Sequence, residues 1–295
     1  MKSGGSSERD APESPRSAAL FPIIFTDLDG TLLDPDTYEW KEAAPALETC
    51  KGADIPVVLV SSKTRAEMVR LWRTLGLTAP FVSENGGGIF FPKGGTNWPP
   101  GEAVLDGEFW KWSLGPPYKS LVKALKEIRE ELNWDLRGFS DMDPEEIAAL
   151  TGLDPDTCRL AAQREFDEPF LLEGERNIAA LQEAAGTRGL KVTQGGRFFH
   201  LHGKVDKGEA VGKLIIWYGR TYLRLVTIGL GDSPNDFSML KRVNYPVLVR
   251  SDRDFPGIEE DIPGLSITSE PGPRGWNDAV SGILLKLKGG LRKNV

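Results

Sequence analysis

The stretch Phe21-Pro22-Ile23-Ile24-Phe25-Thr26-Asp27-Leu28-Asp29-Gly30-Thr31 limits what this chain can fold into more than any other. Phe21 to Phe25 is apolar at successive positions, without the alternation of a half-exposed strand, as expected of a strand buried on both faces in a parallel sheet. The run ends in two carboxylates two positions apart. Charges so close repel, and one would take up a proton unless a cation sat between them. Hard divalent metals prefer carboxylate oxygens, so Asp27 and Asp29 are candidate metal ligands. Gly30 lets backbone approach a ligand closely, and Thr31 can offer a hydroxyl to a phosphate. The plainer alternative is an Asp-Gly turn beside a capping Asp.

A second apolar run, Leu225 to Gly229, leads into Leu230-Gly231-Asp232-Ser233-Pro234-Asn235-Asp236. Acids again sit at the C-terminal mouth of a strand, where ligands bind in open α/β sheets. Asp232 and Asp236 therefore join the candidate metal ligands. A third buried run, Ile55 to Val60, delivers Ser61 and Ser62 to the same mouth. Thr64 and Glu67 form a capping box for a helix whose stripe is Met68, Leu71, Trp72 and Leu75. A hydroxyl between a strand end and a helix N-terminus can reach a phosphate, although Ser62 reads equally well as a cap. Lys63 and Arg65 suit an anionic substrate or a solvated helix face. Before this strand, Thr37 reads as the cap of a helix with inner face Trp40, Ala43, Ala44, Leu47 and Cys50, ended by Gly52.

Asp27-Leu28-Asp29-Gly30-Thr31 together with Gly231-Asp232-Ser233-Pro234-Asn235-Asp236 resembles the haloacid dehalogenase superfamily of phosphotransferases, over roughly residues 20 to 290. The finer resemblance is to its mannosyl-3-phosphoglycerate phosphatase family. It is carried by the stretches Gly138 to Ala148, Ala162 to Phe170 and Gly195 to Leu201. The resemblance implies that Asp27 is the nucleophile and forms an aspartyl-phosphate, and that Asp29 is the general acid and base. It implies Mg²⁺ held by Asp27, Asp232 and the Asp29 backbone carbonyl, with Asp236 in reserve or behind them. Ser61 and Lys207 would hold the phosphoryl oxygens. The sequence itself places Lys207 in the first turn of a helix capped by Asp206, where the dipole disfavours a cation. A lysine there gains most with a phosphate or an Asp in front of it.

Phe81-Val82, then Ser83-Glu84-Asn85-Gly86-Gly87-Gly88, then Ile89-Phe90-Phe91 reads as a hairpin on its Asn-Gly signal. By resemblance, Glu84 and Asn85 touch a sugar hydroxyl at the site rim; a structural turn is the alternative. Between about 108 and 203 the βα alternation breaks off. Helix-like runs (118–132, 143–151, 176–185) mix with strand-like ones (135–139, 168–172, 190–193, 197–201), which predicts a small inserted α+β domain. The superfamily's type-two caps occupy this position. Within it, Arg164 and Arg197 could each fork onto a carboxylate or phosphate, and a glycerate carboxylate needs such a partner. An ion pair of Arg164 with Glu165 or Asp167 is the alternative. His200, on an aromatic strand, reads as a packed residue rather than a base.

The expected architecture is thus a doubly wound, mostly parallel α/β core in two halves, 20–107 and 204–295, with a cap at 108–203. Residues 1–19 are rich in Ser, Gly, Pro, Glu and Arg and lack an apolar segment, so they read as a disordered tail rather than a signal peptide. No run approaches the ~18 apolar residues of a membrane span. A formal charge of −7 argues against nucleic acid or anionic membrane as the main partner. Cys50 and Cys158 read as buried free thiols, which suits a cytoplasmic location. The expected activity is Mg²⁺-dependent hydrolysis of the phosphate of mannosyl-3-phosphoglycerate, a small-molecule sugar–glycerate; a homodimer is compatible with such a chain. Three rivals stand beside it. One is a phosphatase of glucosyl-3-phosphoglycerate or another sugar phosphate, which would keep every catalytic residue and the candidate substrate contacts Ser62, Lys63 and Asn235 and change only the cap contacts. The second is a phosphohexomutase, and the third a sugar-phosphate-binding regulator.

Overall fold

The computed structural model describes residues 17–95, 98–174, 177–195 and 197–292. In chain order its elements are β1 (Ser17–Thr26), α1 (Ala44–Gly52), β2 (Val57–Leu59), α2 (Arg65–Thr74), β3 (Phe81–Ser83), β4 (Gly88–Pro92), β5 (Val104–Asp106) and β6 (Phe109–Ser113). Then come α3 (Tyr118–Leu132), β7 (Leu136–Gly138), α4 (Pro144–Thr151), α5 (Pro155–Ala161), β8 (Asp167–Leu172), α6 (Ile178–Thr187), β9 (Lys191–Gly195) and β10 (Phe198–His202). The chain closes with α7 (Lys207–Gly219), β11 (Tyr222–Gly231), α8 (Phe237–Leu240), β12 (Tyr245–Arg250), α9 (Ile258–Asp261), β13 (Ser266–Pro271) and α10 (Gly272–Arg292).

The main sheet is parallel, in the order β13-β12-β11-β1-β2. β1 runs through its middle and is buried on both faces, as its unbroken apolar run demands. Ile24 packs with α1 and α10 residues such as Leu47 and Trp276, whereas Ile23 and Phe25 pack with Val211, Leu214 and Trp217 of α7. From β1 the chain moves outward to β2, and from β11 it moves the other way to β12. The order of winding therefore reverses between β1 and β11, which is where an open α/β sheet forms its ligand crevice. The two strands end level, with Thr26 opposite Leu230 and Asp27 N–H donating to Leu230 O at 2.9 Å.

A second sheet, β3-β4-β6-β5, is antiparallel. It joins the first through a bridge between Val60 and Val82. The third, β7-β8-β10-β9, is the antiparallel sheet of the cap. α3 and α6 cover one of its faces, and Leu121, Leu125, Ile128, Phe170, Leu181 and Leu201 form its own core. Tyr118–Leu132 is the helix the sequence predicts there.

Several expectations need correction. β1 begins at Ser17, inside the stretch read as tail; residues 1–16 lie outside the described residues, as does Arg176, the expected start of α6. Thr37 does not cap a helix. Its N–H and hydroxyl both donate to Asp34 Oδ1, at 2.8 and 2.9 Å, and close a turn. A single 3₁₀ turn precedes α1, and Pro45 occupies the first turn of α1, where a missing N–H costs little. β6, assigned to the inserted segment, pairs instead with β4. β5 and α5 were not foreseen: Val104 and Leu105 are exposed on an edge strand, and α5 has only seven residues behind its Asp154 cap.

Candidate active site

The crevice between β1 and β11 collects the two acidic motifs. Asp27 follows the last residue of β1. Lys207, the first residue of α7, reaches it with Nζ 2.5 Å from Asp27 Oδ1 and 2.7 Å from Asp236 Oδ1. All three side chains are buried. The α7 position is fixed by Asp206, whose side chain accepts from Glu209 N–H at 2.9 Å. Lys207 therefore has two carboxylates in front of it, which answers the unfavourable dipole. Burial alone would push its ammonium down, but Asp236 and Asp27 hold it well above the ordinary lysine range.

Asp236 organises its own loop. Its Oδ2 accepts from the N–H groups of Asp232 and Ser233, both at 3.1 Å, and from the Ser233 hydroxyl. Gly231 is required here because a Cβ would lie 2.4 Å from Asp236 Cβ. Gly30 is required twice over. Its φ is +77°, and a Cβ would lie 2.8 Å from Asp232 Oδ2. The Thr31 hydroxyl donates to Asp232 Oδ1 at 3.2 Å. Gly30 and Thr31 thus shape the seat of Asp232, where the sequence suggested direct phosphate contacts.

One carboxylate oxygen from each of Asp27, Asp232 and Asp236 lies within 4.8 Å of the others. Three carboxylates against one lysine leave an excess of two negative charges in a buried crevice. Burial, then the Asp236 charge, pushes Asp27 up to about 8 despite Lys207. The same two causes push Asp232 up to about 6. A divalent cation would remove both penalties, and an all-oxygen donor set suits a hard one. Asp236 has both oxygens engaged by protein groups, so Asp27 and Asp232 are the better placed ligands.

Asp29 sits at the rim of this crevice. Lys63 Nζ lies 2.9 Å from its Oδ2, and its buried Oδ1 has no hydrogen-bond partner among the described residues. Burial would lower the Lys63 ammonium, but Asp29 and Glu67 hold it above its usual value. Lys63 therefore serves Asp29 first, where the sequence suggested a free charge for substrate. Ser61 is buried at the end of the β2 turn, with its hydroxyl 3.3 Å from Lys63 N–H. The Thr64–Glu67 capping box starts α2 as expected.

The predicted rim and cap contacts distribute differently. Asn85 takes φ +54° and donates its N–H to Ser61 O, while its side chain accepts from Asn235 Nδ2 at 3.2 Å. Glu84 faces the cap. Its buried carboxylate accepts from Phe166 N–H at 2.7 Å and from Glu165 N–H at 3.0 Å. Burial, partly offset by Arg164 and these amides, pushes it up to about 7. Glu84 is thus a clasp between core and cap, not an open group for a sugar hydroxyl. Arg164 is likewise committed. Nε donates to Ala161 O at 2.9 Å, and Nη1 lies 3.2 Å from Ser62 O, the carbonyl of a predicted contact residue, and 3.3 Å from Asp167 Oδ2. The alternative of an Arg164–Asp167 pair is what the fold uses, buried rather than on the surface. Arg197 is exposed at the β9–β10 turn and donates to Leu150 O at 2.7 Å. Glu165, which the sequence offered only as a partner for Arg164, pairs instead with Arg65 at 2.7 Å and Lys111 at 3.0 Å.

Comparison with known proteins agrees with this geometry. Residues 24–96 match the haloacid dehalogenase-like hydrolase family. The chain is 39% identical over 273 residues to a glucosyl-3-phosphoglycerate/mannosyl-3-phosphoglycerate phosphatase of Persephonella marina, covering 91% of this chain and 99% of that one. It is 40% identical to a protein of the same name from Methanococcoides burtonii, covering 90% and 97%. A haloacid dehalogenase-like hydrolase from Bacteroides thetaiotaomicron has the same fold, with a TM-score of 0.61 at 17% identity, covering 89% of this chain and 99% of that one. Identity at this level along nearly the whole of two relatives, on a crevice built from both acidic motifs, places the chain in the haloacid dehalogenase-like phosphatase family of the glycosyl-3-phosphoglycerate phosphatases.

Proposed function

We propose that the protein is a Mg²⁺-dependent phosphomonoesterase acting on glucosyl-3-phosphoglycerate and mannosyl-3-phosphoglycerate in the cytoplasm. The chemistry rests on one observation above the rest: a buried Asp27 held through one oxygen by Lys207, beside Asp232 and Asp29. The substrate choice rests on the names of the relatives, which carry both sugars, so mannose has no precedence over glucose. Free, buried Cys50 and Cys158 suit a reducing compartment. Among the described residues no helix is long and apolar enough to cross a membrane.

Lys207 pins one oxygen of Asp27, and the other attacks phosphorus. The bond between phosphorus and the glycerate oxygen breaks as Asp29 gives its proton to that oxygen, which leaves as the hydroxyl of glycosylglycerate. Water then attacks the aspartyl-phosphate and gives its proton to Asp29, freeing phosphate and restoring the Asp27 carboxylate. Lys63 holds Asp29 in place at Oδ2, and Oδ1 is the face left for the proton. Ser61 and Lys207 hold phosphoryl oxygens. Asp27, Asp232 and the Asp29 carbonyl would hold Mg²⁺, which supplies positive charge to the phosphoryl oxygens. Asp236 fixes the loop that carries Asp232.

The test is phosphate release from a panel holding both glycosyl-3-phosphoglycerates, hexose phosphates and 3-phosphoglycerate. The two glycosyl compounds should give the highest kcat/KM. A mutase would release no net phosphate and require a bisphosphate activator. A regulator would bind without turnover.

A further inference from the structure

The cap sheet has one face under α3 and α6. Cross-strand register puts Asp167, Pro169, Lys191, Thr193, His200 and His202 on the other. That face is tied to the core site, because Arg164 bridges Asp167 and Ser62 O in the loop beside Ser61. Asp167 Oδ2 also lies 2.8 Å from His200 Nδ1. Burial would push the Asp167 carboxyl up, but His200 and Arg164 together hold it below its usual value. His202 is fully occupied, its Nδ1 2.8 Å from Gly203 O and its Nε2 3.2 Å from Thr193 Oγ1. His200 is not. Among the described residues its Nε2 has no hydrogen-bond partner, and its side chain is 21% exposed.

A glycosyl-3-phosphoglycerate carries a carboxylate apart from the reacting phosphate. Arg164, Lys63, Arg65, Lys111 and Arg197 are each engaged by protein groups. Lys191 is exposed on the same face, but on a long flexible stem. His200 is instead fixed, since an imidazole bonded to a carboxylate at Nδ1 has its ring orientation set from behind. We propose that His200 recognises the substrate's carboxylate through Nε2, with Asp167 as the residue that positions it. This rests on the functional reading above and deepens it. In the complex both ring nitrogens donate, one to Asp167 and one to the substrate, a charge-assisted arrangement.

The test compares His200→Asn and His200→Gln on glucosyl-3-phosphoglycerate and on p-nitrophenyl phosphate, which has no carboxylate. The asparagine amide replaces Nδ1 and keeps the Asp167 bond; the glutamine amide reaches the Nε2 position. His200→Asn should lose ten- to a hundredfold in kcat/KM on the glycosyl substrate, chiefly through KM. His200→Gln should lose severalfold less. Both should hydrolyse p-nitrophenyl phosphate like the wild type. A packing role gives the opposite order, with asparagine the better replacement, and equal losses on the two substrates also overturn the proposal. Should both variants fail to fold, the wild type decides. It should prefer 3-phosphoglycerate to glycerol 3-phosphate by at least tenfold in KM, and no preference overturns the assignment. If the wild type releases phosphate from neither glycosyl-3-phosphoglycerate, the functional reading fails and His200's role with it. If it does and His200→Asn discriminates as before, only the assignment of His200 fails.

Discussion

At the scale of residues, the site is a problem of charge. Asp27, Asp232 and Asp236 surround one lysine, and the sequence showed the acids because each pair ends an apolar run. Lys207 was legible from its place in a helix's first turn. Asp27→Asn should abolish turnover while the protein stays folded, because an amide keeps the shape and hydrogen bonds of the carboxylate but is not a nucleophile. Circular dichroism with a phosphate-release assay checks both halves, and more than trace activity in the folded variant contradicts the nucleophile's role. Asp29→Asn should lose about 10²–10⁴-fold in kcat, the usual contribution of general acid–base catalysis. Full rescue by excess Mg²⁺ would move Asp29 from proton transfer to metal binding. The raised pKa values also set a pH dependence. Metal competes with protons for Asp232, pushed up to about 6, and for Asp27, pushed up to about 8. Mg²⁺ affinity, read by calorimetry, should therefore rise with pH across 6 to 8 and weaken below it.

At the scale of elements, the turn after β2 and the turn after β3 act together. Glu84 N–H donates to Lys63 O, Asn85 N–H donates to Ser61 O, and the Glu84 carboxylate takes the cap amides at 165 and 166. Asn85-Gly86 was legible as a turn. The clasp was not, because its partners lie about eighty residues away, and sequence spacing carries no sign of them. A separation of 102 residues likewise hid the Arg164–Ser62 contact. Arg164 looked free because an isolated arginine near two acids reads the same whether it is exposed or buried. Removing it leaves Asp167 buried with one partner fewer, which typically costs about 3–5 kcal/mol. Arg164→Ala should accordingly lower the urea midpoint and reduce turnover of all phosphate esters alike; a loss confined to glycerate-bearing substrates would restore it as a recognition residue. Burial pushes Glu84 up to about 7 in the folded chain, from the ordinary 4.5 of an unfolded one. Between these values the folded chain keeps a proton that the unfolded chain has lost, so stability falls as pH rises. The penalty approaches about 3 kcal/mol above pH 7. Glu84→Gln has no such dependence, so wild type minus variant stability should fall by that order from pH 4.5 to 7.5.

At the scale of the whole molecule, the parallel core was legible because strands buried on both faces carry apolar residues at successive positions: Phe21 to Phe25 of β1, Val57 to Leu59 of β2 and, interrupted by Thr227, Leu225 to Leu230 of β11. The inserted cap was legible from the break in βα alternation. Its lower boundary was not, because β6 carries four large residues in a row, Phe109 to Trp112, with no period that distinguishes a core hairpin from a cap strand. The catalytic set comes from both halves of the core, 201 residues apart at Thr31 and Asp232, so the chemistry exists only once the sheet is closed around β1 and β11.

The most direct measurement is acid-quenched single turnover of wild-type enzyme with glucosyl-3-phosphoglycerate labelled at phosphorus. Label should appear on the protein before free phosphate does, decay as phosphate is released, and map to the peptide holding Asp27. Phosphate release with no labelled protein at any quench time, or label on a different residue, would contradict the assignment of Asp27 and with it the reading of this crevice.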